Sequence, residues 1–317
     1  MKEPVKTTLF RIVDLVSVPF SMAFLPVLRF IRKHGVHRFP LNKKSFLSAG
    51  VFPVRDHFYE PQLRYSSDFD AQRIRKLAID LDLPRQLQTL AALEYIDELK
   101  NLQTIQDNGP GFYVNNGYFG AGDCDLYYLL LRNTKPRRVI EIGSGFSTLL
   151  ALQALQRNGE DGHPATLTCI DPHPQPWIIQ QAGIGLIKQQ VEKLPLETFD
   201  TLQDGDVLFI DSSHIIRPEN DVLYEYLELL PSLRKGVILH IHDIFTPRHY
   251  RKEWLQDEFR FWNEQYLLEA FLYYNDSFGI LYSLNHLKND AFEKTKQVLR
   301  HLTPQDEPSS FWLRKMK

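Results

Sequence analysis

Two short segments hold four titratable side chains: Asp211 and His214 in "FIDSSH", and His242 and Asp243 in "HIHDIF". Each segment opens on an apolar run of strand type, so each pair is expected at the carboxyl end of a strand, where open α/β sheets bind their ligands. Adjacent strands would bring the four groups together. A cluster of that kind can supply a general base, or a metal ion that acidifies a hydroxyl. One isolated histidine at a strand end more often satisfies a loop backbone, but four polar groups at two strand ends favour a site. His240 shares the face of His242 one step deeper and reads as a core histidine, while His173, between two prolines, reads as an exposed loop residue.

A second constellation lies upstream. The turn "VIEIGSGFST" carries Glu141, Gly143, Ser144, Gly145 and Ser147, and Asp171 follows Glu141 by thirty residues. Glycines between a strand and a helix let a ligand approach the backbone at a helix N-terminus. A dinucleotide turn needs a third glycine, and Thr148 stands there instead. The Glu141 carboxylate would also repel a pyrophosphate, which argues against a nicotinamide-dependent oxidoreductase. A cationic ligand with a ribose diol suits both acids. S-adenosylmethionine is such a ligand, with its ammonium toward Glu141 and its ribose hydroxyls donating to Asp171.

These residues need a scaffold, and the surrounding text provides one. Strand-like runs at 138–142, 166–170, 186–190, 207–210 and 237–241 alternate with helical runs at 147–157, 177–181 and 220–230. That alternation predicts a parallel sheet with helices on both faces. The segment "QYLLEAFLYYNDSFGILYSL" is expected to form two strands joined at Asn275 to Ser277, closing the sheet with an antiparallel hairpin. Upstream, apolar spacing between Asp68 and Leu102 predicts two amphipathic helices broken near Pro84. Asp123 is expected to cap the helix that follows. The Gly- and Asn-rich loop over 107–122 precedes that helix and is placed to fold over the ligand. Tyr118 or Phe119 would lie against it, with Asn116 or Asp123 supplying hydrogen bonds. The expected division is an N-terminal helical extension over 1–106, a catalytic domain over 107–300 and a tail over 301–317.

The segments "VIEIGSGFST", "IDPHP", "GDVLFIDSSH" and "LRKGVILHIHDI", in this order, resemble the class I S-adenosylmethionine-dependent methyltransferases, in particular the bacterial methyltransferase domain 24 group. The resemblance covers roughly residues 123–284. It implies a Rossmann-like α/β sheet of seven strands ending in a reversed hairpin. The cofactor would lie on Glu141, Gly143, Ser144, Gly145, Ser147, Asp171 and Asp211. Catechol-type O-methyltransferases of this fold place magnesium on acids at the same two strand ends, so Asp211, His242 and Asp243 become the expected metal set. His242 stands where that pattern has a carboxylate, and imidazole suits manganese better than magnesium. A metal-free site with His214 or His242 as base, oriented by Asp211 or Asp243, fits equally well. The implied activity is O-methylation of a small-molecule or glycan hydroxyl. The alternative is a methyltransferase fold kept as a binding or assembly module.

Composition narrows the partners. The 317-residue chain has a formal net charge of -2, so it carries no global basic field for nucleic acid. Cys124 and Cys169 form no CxxC pair and read as buried thiols in a reduced, cytoplasmic compartment. The apolar stretch from Leu15 to Leu28 is shorter than a membrane span, contains Pro19 and Pro26, follows Arg11 and Asp14, and lacks a cleavage site. It is expected to be neither signal peptide nor span. Residues 9–31 fit a peripheral helix on anionic lipid, or a helix packed on the main domain or on a second copy of the chain. The acceptor itself is not written in the sequence.

Overall fold

The computed structural model describes residues 3–106 and 111–317, with side chains from Thr7 onward. The chain forms two compact units, Met1–Phe69 with Leu255–Phe261, and Asp70–Trp254 with Trp262–Lys317. In the first unit, α1 (Glu3–His34) is a single helix that runs through both Pro19 and Pro26. It is followed by α2 (Pro40–Ala49), which starts with its proline in the first turn and ends on Gly50 in the left-handed conformation. Every residue from Thr7 to Val27 is exposed.

The second unit is built on a seven-stranded sheet: β1 (Arg138–Ile142), β2 (Thr166–Ile170), β3 (Ile184–Ile187), β4 (Val207–Ile210), β5 (Ile238–Ile241), β6 (Phe278–Ser283) and β7 (Phe311–Lys315). Their order is β3-β2-β1-β4-β5-β7-β6. The first five are parallel, and β7 runs antiparallel to both β5 and β6. Strand β4 shows why the sheet is covered on both faces: Val207 and Phe209 join one apolar cluster while Leu208 and Ile210 join the other. Such strands read as continuous apolar runs. The helices α3 (Leu83–Ala91), α4 (Asp123–Thr134) and α5 (Phe146–Glu160), with α6 (Pro176–Ile179), precede the second half of the fold. There α7 (Asp221–Tyr224), a π turn and α8 (Leu230–Ser232) lead to α9 (Lys252–Gln256) and α10 (Glu264–Leu272), and α11 (Leu284–Asp290) and α12 (Phe292–Val298) follow β6.

Several expectations change. The third strand lies at Ile184–Ile187 rather than 186–190. The antiparallel pair exists, but its first strand is not at 265–274; that segment is α10, whose Leu268 and Leu272 are buried four residues apart, a helical stripe. The strand paired with β6 is β7, so residues 301–317 form part of the sheet rather than a tail. Only one helix, α3, and a short 3-10 turn (Ile96–Asn101) form between 68 and 102. Leu90 and Leu99 from this stretch are buried with Leu126 and Leu150 of α4 and α5, so the region belongs to the second unit and no boundary falls at 106. Finally, Gly122 is the N-cap of α4. Asp123 instead accepts backbone N–H bonds from Ser309 and Ser310 at 3.1 and 2.8 Å, because the turn into β7 lies against it.

Candidate active site

The strand order reverses between β1 and β4, and the crevice beyond their carboxyl ends is where such sheets bind ligands. Gly143 leaves β1 at φ +95°, and a Cβ there would lie 2.4 Å from the Asp211 carbonyl oxygen. Only glycine fits that contact. Gly145 differs: its backbone is extended and a Cβ would meet nothing within 4 Å. The turn therefore touches β4 on one side and leaves open space on the other, as a bound adenosyl-type ligand requires.

Thr148, at the position of the missing third glycine, ties the turn together. Its Oγ1 accepts from the Gly145 N–H at 3.0 Å and donates to Glu141 Oε2 at 2.6 Å. Tyr127 donates to Glu141 Oε1 at 3.2 Å, and the Cys169 thiol lies 3.5 Å from Oε2. Glu141 is fully enclosed. Burial pushes its pKa up to about 7 against these hydrogen bonds. The expected contact between Glu141 and a ligand ammonium is thus corrected: with its oxygens committed to α4 and α5, Glu141 braces the turn from beneath. Asp171, at the end of β2, accepts from Ser144 Oγ at 2.5 Å and from the His173 N–H at 2.8 Å. Each carboxylate oxygen keeps a lone pair for a ribose hydroxyl. Ser147 is buried in the first turn of α5. Phe146 packs near Tyr113, Tyr118 and Trp177 at ring distances of 5.3 to 6.0 Å, an aromatic wall beside the turn.

Of the loop over 107–122, residues 107–110 lie outside the described residues. Tyr118 is exposed as a ligand cover would need, whereas Phe119 is buried against Tyr127, Phe209 and His242. Asn116 spends its side chain on the loop, donating to the Tyr113 and Phe119 carbonyls and accepting from the Tyr118 and Phe119 N–H groups. Asn116 thus serves the loop itself, while Asp123 is bonded to Ser309 and Ser310 at the wall of the pocket that Asp243 and His242 line.

The strand ends of β4 and β5 meet as the sequence suggested, with one exchange of roles. His214 Nε2 lies 3.1 Å from Asp211 Oδ1 and 3.5 Å from Asp243 Oδ2. Its Nδ1 lies 2.8 Å from Glu264 Oε2, and Tyr226 donates to the other Glu264 oxygen at 3.1 Å. Asp211, His214 and Asp243 offer ligand atoms all within 4.8 Å of one another. His242 does not complete that set: its Nε2 is 3.8 Å from Asp243 Oδ1, and its Nδ1 is 3.2 Å from His240 Nε2. The group close enough to share one ion is thus Asp211, His214 and Asp243, not the expected Asp211, His242 and Asp243. Both His214 and Asp243 hold left-handed backbone, at φ 59° and 57°, a strain typical of functional positions.

Burial disfavours the charged form of His214, but hydrogen bonds to Asp211 and Glu264 and the charge of Asp243 outweigh it and raise its pKa well above 6.5. Burial raises and the His214 bond lowers the Asp211 pKa, which ends below the usual range. For His242, burial is outweighed by Asp243, Asp211 and Asp123, and its pKa rises. His240 is buried without a carboxylate and stacks on Phe209 at 3.9 Å; burial, with the charge of His242, drives its pKa well down. It is buried in the core as expected, but its Nδ1 is left without a hydrogen-bond partner. Asp243 is held by the Ser309 hydroxyl at 3.0 Å. It lines, with His242, Tyr118, Arg251 and Trp254, a pocket of about 210 Å³.

Glu264 was not visible as a site residue. It lies fifty residues after His214, and only the packing of α10 against the β4 loop, where the Asn263 and Glu264 N–H groups donate to the His214 carbonyl, brings it there.

A family model described as a methyltransferase domain matches residues 140–244. An uncharacterised protein of Archaeoglobus fulgidus is 31% identical over 169 residues, spanning 49% of this chain and 75% of its own. Among solved structures, an O-methyltransferase from Bacillus cereus in complex with S-adenosylhomocysteine aligns over 75% of this chain and 92% of its own, at 13% identity and a TM-score of 0.36. A SAM-dependent methyltransferase from Archaeoglobus fulgidus aligns over 63% and 96%, at 16% identity and a TM-score of 0.32.

Proposed function

We propose that this chain, which belongs to the class I S-adenosylmethionine-dependent methyltransferases, methylates a hydroxyl oxygen of a small molecule or glycan. The observation that carries this reading is the convergence of Asp211, His214 and Asp243 beyond β4 and β5, next to the glycine turn. When bound, S-adenosylmethionine supplies an electrophilic methyl on sulfur. Gly143 and Gly145 shape the space for it, Glu141 and Thr148 fix the turn, and Asp171 takes the ribose hydroxyls.

The acceptor enters beside Asp243 and His242. His214, kept protonated by the carboxylates around it, cannot take the hydroxyl proton. It fixes Asp211 and Asp243 instead, and Asp243, anchored by Ser309, receives the proton as the hydroxyl oxygen attacks. In a separate arrangement, with the His214 proton at Nε2 released, Asp211, His214 and Asp243 would instead hold a divalent ion, with Glu264 behind the imidazole at Nδ1. One imidazole and two carboxylates suit manganese better than magnesium, and that ion would lower the hydroxyl pKa.

Calorimetric titration tests this reading. Wild type is expected to bind S-adenosylmethionine, and Asp171→Ala to bind it at least ~10-fold more weakly, the loss of a charge-assisted pair of hydrogen bonds. Manganese heat should vanish in Asp243→Asn and persist in His242→Ala. A folded wild-type chain that binds no S-adenosylmethionine would overturn the proposal.

A further inference from the structure

The first unit carries an apolar surface that the methyl-transfer reading does not use. From Leu15 to Leu28 no residue is charged, and the apolar side chains point all round the helix, interrupted by Ser17 and Ser21. A helix apolar all round belongs in a protein core or a membrane, yet every residue from Thr7 to Val27 is exposed. Among them, Leu15, Phe20 and Met22 are 74%, 74% and 66% accessible. The helical segment Thr7–His34 is 28 residues long and contains an 18-residue window of mean hydropathy 1.6. A bilayer core of about 30 Å needs about 20 residues. A span must therefore extend the uncharged run from Leu15 to Leu28 by a turn or two, past Asp14 and Arg11 on one side or Arg29 on the other, whose side chains reach toward the interface. Ser17 donates to the Asp14 carbonyl within the helix, so its hydroxyl needs no water.

The segment after the helix is strongly one-sided in charge. Residues 29–55 contain seven Lys or Arg and no Asp or Glu, in a chain whose net charge is -2. Arg29, Arg32 and Lys33 close the helix, and α2 presents Lys43 and Lys44 beside exposed Leu41 and Leu47. Basic clusters directly after an apolar helix mark the side with anionic headgroups.

We propose that α1 inserts across a lipid bilayer, with Arg29 through Arg55 at an anionic headgroup layer, so that the methyltransferase is membrane-anchored. A second protein copy would cover one stripe of this helix, whereas a bilayer covers its whole circumference. The helix crosses the two prolines that argued against a span, as membrane helices tolerate.

Flotation of the full chain tests this, using vesicles of neutral phosphatidylcholine with and without phosphatidylglycerol. The chain is expected to float with both vesicle types and to stay bound through high salt and alkaline carbonate. Phe20→Asp with Phe24→Asp should lower the bound fraction by at least ~100-fold. Circular dichroism and S-adenosylmethionine titration check that the catalytic unit of the variant is intact, so a failed cofactor reading would show separately. Binding that needs phosphatidylglycerol and is released by salt would overturn insertion. So would a soluble dimer that ignores vesicles.

Discussion

Glutamine at position 141 isolates what it costs to hold an acid beneath the glycine turn. Glu141 titrates near 4.5 in an unfolded chain and at about 7 when buried against Thr148, Tyr127 and Cys169. Between those values the unfolded chain has released the proton and the folded chain still holds it, so stability falls as pH rises through this window. Each pKa unit is worth about 1.4 kcal/mol, and a carboxyl moved from 4.5 to about 7 costs the folded state about 3 kcal/mol above pH 7. Glu141→Gln keeps the shape and loses the charge. Its amide group will disturb the Thr148 bond by about 1 kcal/mol, but equally at every pH. Thermal melts of cofactor-free protein from pH 5 to 8 should show the variant gaining on wild type as pH rises, by roughly 6 to 12 °C over the range. A gap constant across pH would show that Glu141 is ionised throughout, and the account of the braced turn would fail.

Two further outcomes rest on the same geometry. Gly143→Ala places a methyl 2.4 Å from the Asp211 carbonyl at φ +95° and should lower Tm by ~5 to 10 °C. Gly145→Ala faces open space, so it should leave Tm within ~2 °C yet weaken S-adenosylmethionine by more than ~10-fold in calorimetry. Equal melting losses in the two variants would refute the asymmetry of the turn. Glu264→Gln removes one of the carboxylates that hold the His214 proton, so the His214 imidazole resonance should titrate at lower pH than in wild type. An unchanged titration would remove Glu264 as the positioning residue of His214.

The five parallel strands β1 to β5 could be read in order, with β3 displaced to Ile184–Ile187 from the expected 186–190, because parallel strands buried on both faces are apolar runs and helices separate them. The placement of the glycine turn, Asp171, Asp211, His214 and Asp243 beyond the strand ends was legible for the related reason that strand ends in such sheets are predictable places. What failed lay where local pattern is silent about partners. The segment from Gln265 to Leu272 is apolar and aromatic enough to suggest a strand, and only its contacts show the helix. Strand β7 comes after β6 by a long helical excursion, so no hairpin signal could mark it. Glu141 looked like a ligand contact because an acid at a strand end was visible, while Thr148 and Tyr127, which enclose it, were separate in sequence. His214 rather than His242 lies with Asp211 and Asp243, and the left-handed backbone at His214 and Asp243 that accompanies this arrangement is not announced by sequence.

The placement of β7 has a consequence for how the enzyme comes into being. Synthesis delivers β5 and β6 before the strand that must slot between them, so the growing chain keeps an open edge on β5 until residues 311–315 emerge. The same late segment brings Ser309 to Asp243, and Ser309 and Ser310 to Asp123. Pairings so distant in sequence are slow to form and leave strand edges exposed meanwhile. A nascent chain halted before this point would hold the glycine turn but lack the Ser309 hydroxyl that bonds Asp243, so the surroundings of Asp243 are completed only with β7.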